Sequence, residues 1–207
     1  MNILFHEVYN IIEKYRSLPH IEIECRFGWK FTEKFDTNIP VSLYNTIHDK
    51  ISNSNIFDIK HESTLVYTFK NIRVIVCPIT KQIISSHVKR KLKTIDLSLG
   101  GTPYDIRLSV CTETPIDPPD LKLCTLIRSK ERTSYIYKMF MYDFTKVYSH
   151  KTQEDLREIE IELNINYHNQ HFDTNYLTHS FCLKILDIAK FSNNDIEEIH
   201  LKNMAYV

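Results

Sequence analysis

The first fifteen positions place Ile3, Leu4, Val8, Ile11, Ile12 and Tyr15 at helical spacing, which predicts an amphipathic helix from Asn2 to Arg16. Ser17-Leu18-Pro19 ends it. Leu43, Ile47 and Ile51 repeat the same period behind Pro40, a residue suited to a helix start. The texture then changes. From Ser63 to Leu163 the chain runs in short stretches rich in Ile, Val, Thr and Tyr, punctuated by Cys77-Pro78, Gly100-Gly101 and Asp117-Pro118-Pro119-Asp120. That rhythm predicts an antiparallel barrel or sandwich in preference to βαβ units. A last helix is expected over Tyr176 to Lys190. There is no repeat, linker or low-complexity tract, so one domain is expected over 1–207, with 1–17 and 173–207 as peripheral helical segments.

Several strands alternate charge with oil. In HIEIECRFG, Glu22, Glu24 and Arg26 share one face, while Ile21, Ile23, Cys25 and Phe27 share the other. REIEIELNI does the same with Glu158, Glu160 and Glu162. IRSKERTSYI aligns Arg128, Lys130, Arg132 and Ser134, and YDIRLSVCTE aligns Asp105, Arg107, Ser109 and Glu113. IRVIV carries Arg73, and HVKRKLK alternates Lys89, Lys91 and Lys93. Any one of these, taken alone, is an ordinary strand with a wet outer face. The set is not, because three Glu in line repel one another across about 7 Å and nothing in sheet stability asks for them. Closing the sheet with its charged faces inward gives a polar lumen, wide enough in an eight-stranded barrel for one small ligand, with helices over the apolar outside. Glu oxygens suit a hard cation and Arg and Lys suit phosphoryl oxygens, so a metal-bound polyphosphate fits such a lumen.

Composition narrows this further. Lys+Arg and Asp+Glu each total 26 in 207 residues, so contact with nucleic acid should be local, without a global basic field. Three glycines leave no room for several Gly-rich phosphate loops. No apolar run reaches the roughly 20 residues of a membrane helix, and the start lacks the pattern of a signal peptide. Five scattered cysteines, with no C-x-x-C, predict reduced thiols in a cytosol-like compartment and argue against a zinc site. His168 and His171 have H-x-x-H spacing in a polar stretch and read as solvent-exposed.

At the charged strands the sequence resembles the metal-dependent RNA 5′-triphosphatases of fungi, protozoa and large DNA viruses, a branch of the triphosphate tunnel metalloenzymes. The resemblance runs from Ile21 to Leu163 with the tunnel strands in the family's order. The opening Glu-x-Glu matches at Glu22 and Glu24, and the closing Glu-x-Glu-x-Glu at Glu158, Glu160 and Glu162. Between them, IRVIV resembles the strand with a phosphate-binding Arg (Arg73), YDIRLSVCTETP the strand ending in a water-positioning acid (Glu113), and RSKERTSYIY the basic strand. YDFTKV matches Asp-x-Thr-x-Val at Asp143, Thr145 and Val147. A lone E-x-E is worthless as a signal, whereas two of them flanking these strands in this order are specific. Two positions depart from the pattern. Met141 stands where the fungal enzymes have a basic residue, which shifts the expected phosphate contacts to Arg73, Lys130 and Arg132 or to a nearby Lys138. Arg26 stands where relatives acting on thiamine triphosphate or making cyclic AMP show Lys, which disfavours those branches.

The resemblance implies an α+β, mainly antiparallel fold: an eight-stranded β-barrel tunnel with a charged lumen, flanked by a few helices. It implies a hydrolase that removes the γ-phosphate of 5′-triphosphate RNA in the first step of mRNA capping, with NTP hydrolysis when manganese is supplied. It assigns Glu22, Glu24 and Glu162 to a divalent metal (Mg²⁺ or Mn²⁺), and Arg73, Lys130 and Arg132 to the γ-phosphate. Glu113 and Glu160 are assigned to the attacking water, Arg107, Arg128 and Lys89 to further substrate contacts, and Asp143 and Glu158 to orienting the cations. The expected partners are the triphosphate end of RNA, NTP and a guanylyltransferase, with no membrane and a monomeric state. The expected location is the cytoplasm or a virus, or the nucleus in a cellular host. Two other readings stay open: a tunnel enzyme for free NTP or inorganic polyphosphate, and a non-catalytic module that grips triphosphate RNA ends.

Overall fold

The structure, a computed structural model, describes residues 2–32, 34–102, 104–164 and 172–191. The elements follow in the order α1 (Asn2–Tyr15), β1 (Ile21–Lys30), β2 (Phe35–Asp36), α2 (Val41–Ser52), β3 (Asp58–Phe69), β4 (Ile72–Val76), β5 (Ile83–Ser98) and β6 (Asp105–Pro115). A short 3₁₀ turn at Leu121–Leu123 leads to β7 (Leu126–Tyr137), β8 (Phe140–Ser149), β9 (Glu154–Leu163) and α3 (Thr174–Phe191). His168 and His171 fall outside the described residues.

All strand pairs are antiparallel, and the order β1-β6-β5-β4-β3-β7-β8-β9 closes when β9 pairs back onto β1. The result is an eight-stranded barrel, with β2 added as a two-residue flap on the end of β1. Closure is made where alternation is strictest: Glu24 lies opposite Glu162 and Arg26 opposite Glu160, so two charged faces meet on one side and two apolar faces on the other.

The apolar faces point outward, as the alternation predicts. Ile21, Ile23, Cys25 and Phe27 of β1, Ile106, Leu108 and Val110 of β6, and Ile159, Ile161 and Leu163 of β9 form one core with the helices. Leu4, Val8, Ile11 and Ile12 of α1 and Leu177, Phe181, Ile185 and Ile188 of α3 cover that wall, and Tyr44, Ile47 and Ile51 bring in α2. Asp173 caps α3 by accepting from the Tyr176 amide at 2.7 Å. None of the helices among the described residues is long and apolar enough to cross a membrane.

The helix ends fall within two residues of the sequence reading, and the larger difference is in β3. β3 begins at Asp58, five residues before the expected Ser63. Its first six residues are exposed on both faces, so they show no two-residue period, and only their pairing with β7 makes them a strand.

Candidate active site

The barrel encloses a cavity of about 510 Å³. Strand parity delivers acids and bases from seven of the eight strands into it. Glu22 and Arg26 come from β1, Glu62 from β3, Arg73 from β4, Lys89 from β5, Glu113 from β6, Arg128, Lys130 and Arg132 from β7, and Glu160 and Glu162 from β9. Nine residues that sequence reasoning assigned to the site therefore line one space. Three more, Glu24, Asp143 and Glu158, are buried in the wall just behind it.

The acids divide into two groups. Glu160 is surrounded by cations: Arg26 Nε stands 2.8 Å from Oε1, outside hydrogen-bond angles, and Arg132 stands 3.8 Å from Oε2. Burial pushes the Glu160 carboxyl up, but Arg26, Arg132 and Lys130 prevail and hold it at about 2. Glu162 has the opposite surroundings. Its cross-strand neighbours are Glu24 on β1 and Met141 on β8. Burial, with Glu22, Asp143 and Glu24 close by, pushes its carboxyl well above the carboxylate range. Glu22 follows, pushed up to about 7 by burial and by Glu24, against the pull of Lys89.

The cations are held in kind. Arg132 uses its whole fork: Nη1 reaches Asp143 at 2.7 Å, Nη2 faces Glu160, and Nε donates to Thr145 Oγ1 at 3.1 Å. Asp143 also accepts from Ser134 Oγ at 2.6 Å. Lys130 lies 3.6 Å from Glu158, which accepts from Thr37 at 3.3 Å, and burial lowers its ammonium pKa. Lys89 bonds Glu22 and stands 3.1 Å from Glu113. Burial opposes its charge, but Glu24 and Glu22 outweigh that and raise its pKa. Glu113 also faces His87 at 3.5 Å and Arg73 at 3.9 Å, and Lys89, with these two neighbours, overcomes burial to lower its pKa. Among the described residues Arg128 has no ion pair, and its buried Nε lacks a hydrogen-bond partner. Burial lowers its pKa.

Two assigned cations stand elsewhere. Arg107 shares the inward parity but lies nearer the far end of β6. There it forks onto Asp96 at 2.6 and 2.8 Å and stacks over Phe35, outside the cavity lining. Lys138 occupies the β7–β8 turn, exposed and over the Tyr137 ring, so it does not replace a cation at Met141. Arg26, pinned between Glu24 at 3.1 Å and Glu160, is the additional tunnel cation. Sequence reasoning missed His87 and Glu62. His87 shares the parity of Lys89, and Glu62 is the cross-strand partner of Arg132, so each carried a signal only once its strand was placed.

A divalent cation fits the donor chemistry. Glu24 and Glu162 are like charges directly opposed across a strand pair, with Glu22 adding a third, and such an arrangement destabilises itself unless positive charge enters. Among the described residues no three acids, imidazoles or thiols are already drawn into a ligand cage; Lys89 and Arg26 hold Glu22 and Glu24 instead.

Residues 32–195 match the family described as mRNA capping enzyme, beta chain. The chain belongs to that family. Membership in the capping beta-chain family joins it to the triphosphatase branch that the strand motifs resemble, although β1 with Glu22 and Glu24 precedes the matched span. A Yarrowia lipolytica relative, "mRNA-capping enzyme subunit beta", is 35% identical over 77 residues, which is 37% of this chain and 20% of that protein. The chain thus matches a fifth of that relative's length. Among solved structures, the S. pombe Pct1 RNA triphosphatase superposes with a TM-score of 0.77 at 16% identity, over 89% of this chain and 91% of that one. Pct1 in complex with the Spt5 CTD gives 0.75 at 17% identity, over the same shares. These likenesses establish the tunnel fold.

Proposed function

We propose that the chain is a polynucleotide 5′-phosphatase that hydrolyses the γ-phosphate of 5′-triphosphate RNA, leaving a 5′-diphosphate end for capping. The observation that carries the reading is the shared cavity: carboxylates from β1 and β9 and cations from β4, β5 and β7 converge on one space of about 510 Å³. Arg73, Lys130 and Arg132 orient the γ-phosphoryl group and take up charge on its oxygens. Asp143 and Thr145 keep Arg132 aimed, since both bond to it, and Glu158 does so for Lys130 as an ion pair. Glu113, held between Lys89, His87 and Arg73, accepts a hydrogen bond from the attacking water. Glu160 stays ionised among three cations and steadies Arg26 and Arg132. Water oxygen bonds to phosphorus, the bond from phosphorus to the β-bridging oxygen breaks, that oxygen leaves with the electron pair, and the water's protons depart on the inorganic phosphate. Glu22, Glu24 and Glu162 would hold a divalent cation, Mg²⁺ or Mn²⁺. When bound, it neutralises charge on the phosphate chain.

Free NTP presents the same three phosphates, so NTP hydrolysis with manganese belongs to the proposal. A guanylyl-transferring enzyme, which consumes diphosphate ends, is the proposed partner activity. The test is product analysis on γ-labelled triphosphate RNA. Label should appear as inorganic phosphate, the RNA should keep a diphosphate end, and a chelator should stop the reaction. Release of pyrophosphate, or an unaltered RNA end at every metal tried, refutes the reading.

A further inference from the structure

Inside the charged tunnel one patch of wall is apolar. Val66 of β3, Ile75 of β4 and Ile84 of β5 all line the cavity. Register puts them side by side, with Val66 opposite Ile75 and Ile75 opposite Ser85. The next β4–β5 pair is Val76 with Ile83, so Ile84 is the extra residue of a β-bulge. A bulge re-aims a side chain, and this one brings Ile84 into the cavity lining beside Ser85, 59% exposed. Val66 is 6% exposed yet stands apart from the core that packs under the helices, because its inward parity faces the lumen.

Phosphate has no use for this surface, and an isoleucine exposed in a wet, charged lumen gains nothing for the fold. The location is informative. Val66 pairs with Arg128, a tunnel cation that has no ion pair among the described residues, and Ile75 is two residues from Arg73, roughly 7 Å along the strand. The apolar patch therefore adjoins the cations that take the phosphate chain. The apolar part of a triphosphate RNA end is its first nucleobase. We propose that Val66, Ile75 and Ile84 form the subsite for that base, with its flat face on Ile84 and its triphosphate running past Arg128 and Arg73. The subsite rests on the triphosphatase reading and adds the nucleoside half of the substrate.

The test compares the full chain with Ile84→Ser, a neutral change at an exposed side chain, on two ligands: a short 5′-triphosphate RNA and inorganic tripolyphosphate. KM is measured for both, with equilibrium competition against a labelled triphosphate RNA as a second readout. Ile84→Ser should weaken RNA by about fivefold or more and leave tripolyphosphate within about twofold, the scale of one lost apolar contact. Ile84→Phe should hold RNA at least as well as the parent. Equal weakening of both ligands, or unchanged RNA with Ile84→Ser, overturns the subsite. If the parent cleaves tripolyphosphate and ATP but never RNA, the RNA reading fails by itself, and the same ratio with ATP in place of RNA decides the subsite. If nothing turns over, the competition measurement decides it in the same two directions.

Discussion

Glu162 illustrates how one side chain can serve chemistry at the expense of the fold. It is half-buried among Glu22, Glu24 and Asp143 with Met141 as its other neighbour, and among the described residues it makes no ion pair. Glu162→Gln should therefore raise the melting temperature in metal-free buffer while abolishing metal-dependent turnover; an active variant would remove Glu162 from the metal set. Arg132 is the converse, since its three nitrogens serve Asp143, Glu160 and Thr145 at once. Lysine can satisfy one of these, so Arg132→Lys should cost about a hundredfold in turnover and about 1–3 kcal/mol of stability through a stranded Asp143. Steady-state kinetics and urea melts test the two parts. Both residues were legible in the sequence because a two-residue period suffices to place them. Arg107 was not: parity faced it inward, but only the tertiary position of Asp96 and Phe35 shows that it is spent at the barrel's end.

At the level of elements, the most legible strands were β1 and β9, whose charged residues alternate with apolar ones because one face packs against the helices and the other faces the lumen; β7 was legible from its row of cations alone. The first half of β3 was illegible, because both its faces are wet. The bulge at Ile84 was illegible too, since a register shift belongs to a pair of strands and neither strand records it alone. The β1–β2 junction makes a further prediction. A Cβ on Gly28 would stand 2.0 Å from the Asp36 carbonyl oxygen and 2.7 Å from the Phe35 ring. Gly28→Ala must push the β2 flap away, at a cost of about 1–3 kcal/mol, visible as a lower urea midpoint. Turnover should persist, because Gly28 lies outside the cavity lining; an unchanged midpoint would contradict the close packing of the flap.

Across the whole molecule the acids give stability a pH dependence that a metal can reverse. The Glu22 carboxyl is raised to about 7, so between about pH 4.5 and 7 the folded chain keeps a proton that the unfolded chain has lost. Metal-free stability should therefore fall as pH rises through that window, by on the order of 2 kcal/mol, with Glu162 acting in the same direction. Glu160, held at about 2, works the other way: its contribution is present above about pH 4.5 and lost as pH falls toward 2. Melting temperatures in chelator across pH 4 to 8 should peak on the acid side, and added Mg²⁺ or Mn²⁺ should recover the neutral side by mass action. A flat profile would mean that the tunnel acids are solvated, contrary to their burial. The outward-facing core has its own consequence. The residues that decide the shape, from Ile23 to Phe181, lie on the other side of the wall from every atom that would meet a phosphate. Scaffold and reactivity are thus written in separate alphabets along the same strands, alternate letters belonging to each. Such a barrel invites wholesale rewriting of its interior toward new anions while the exterior text is left untouched.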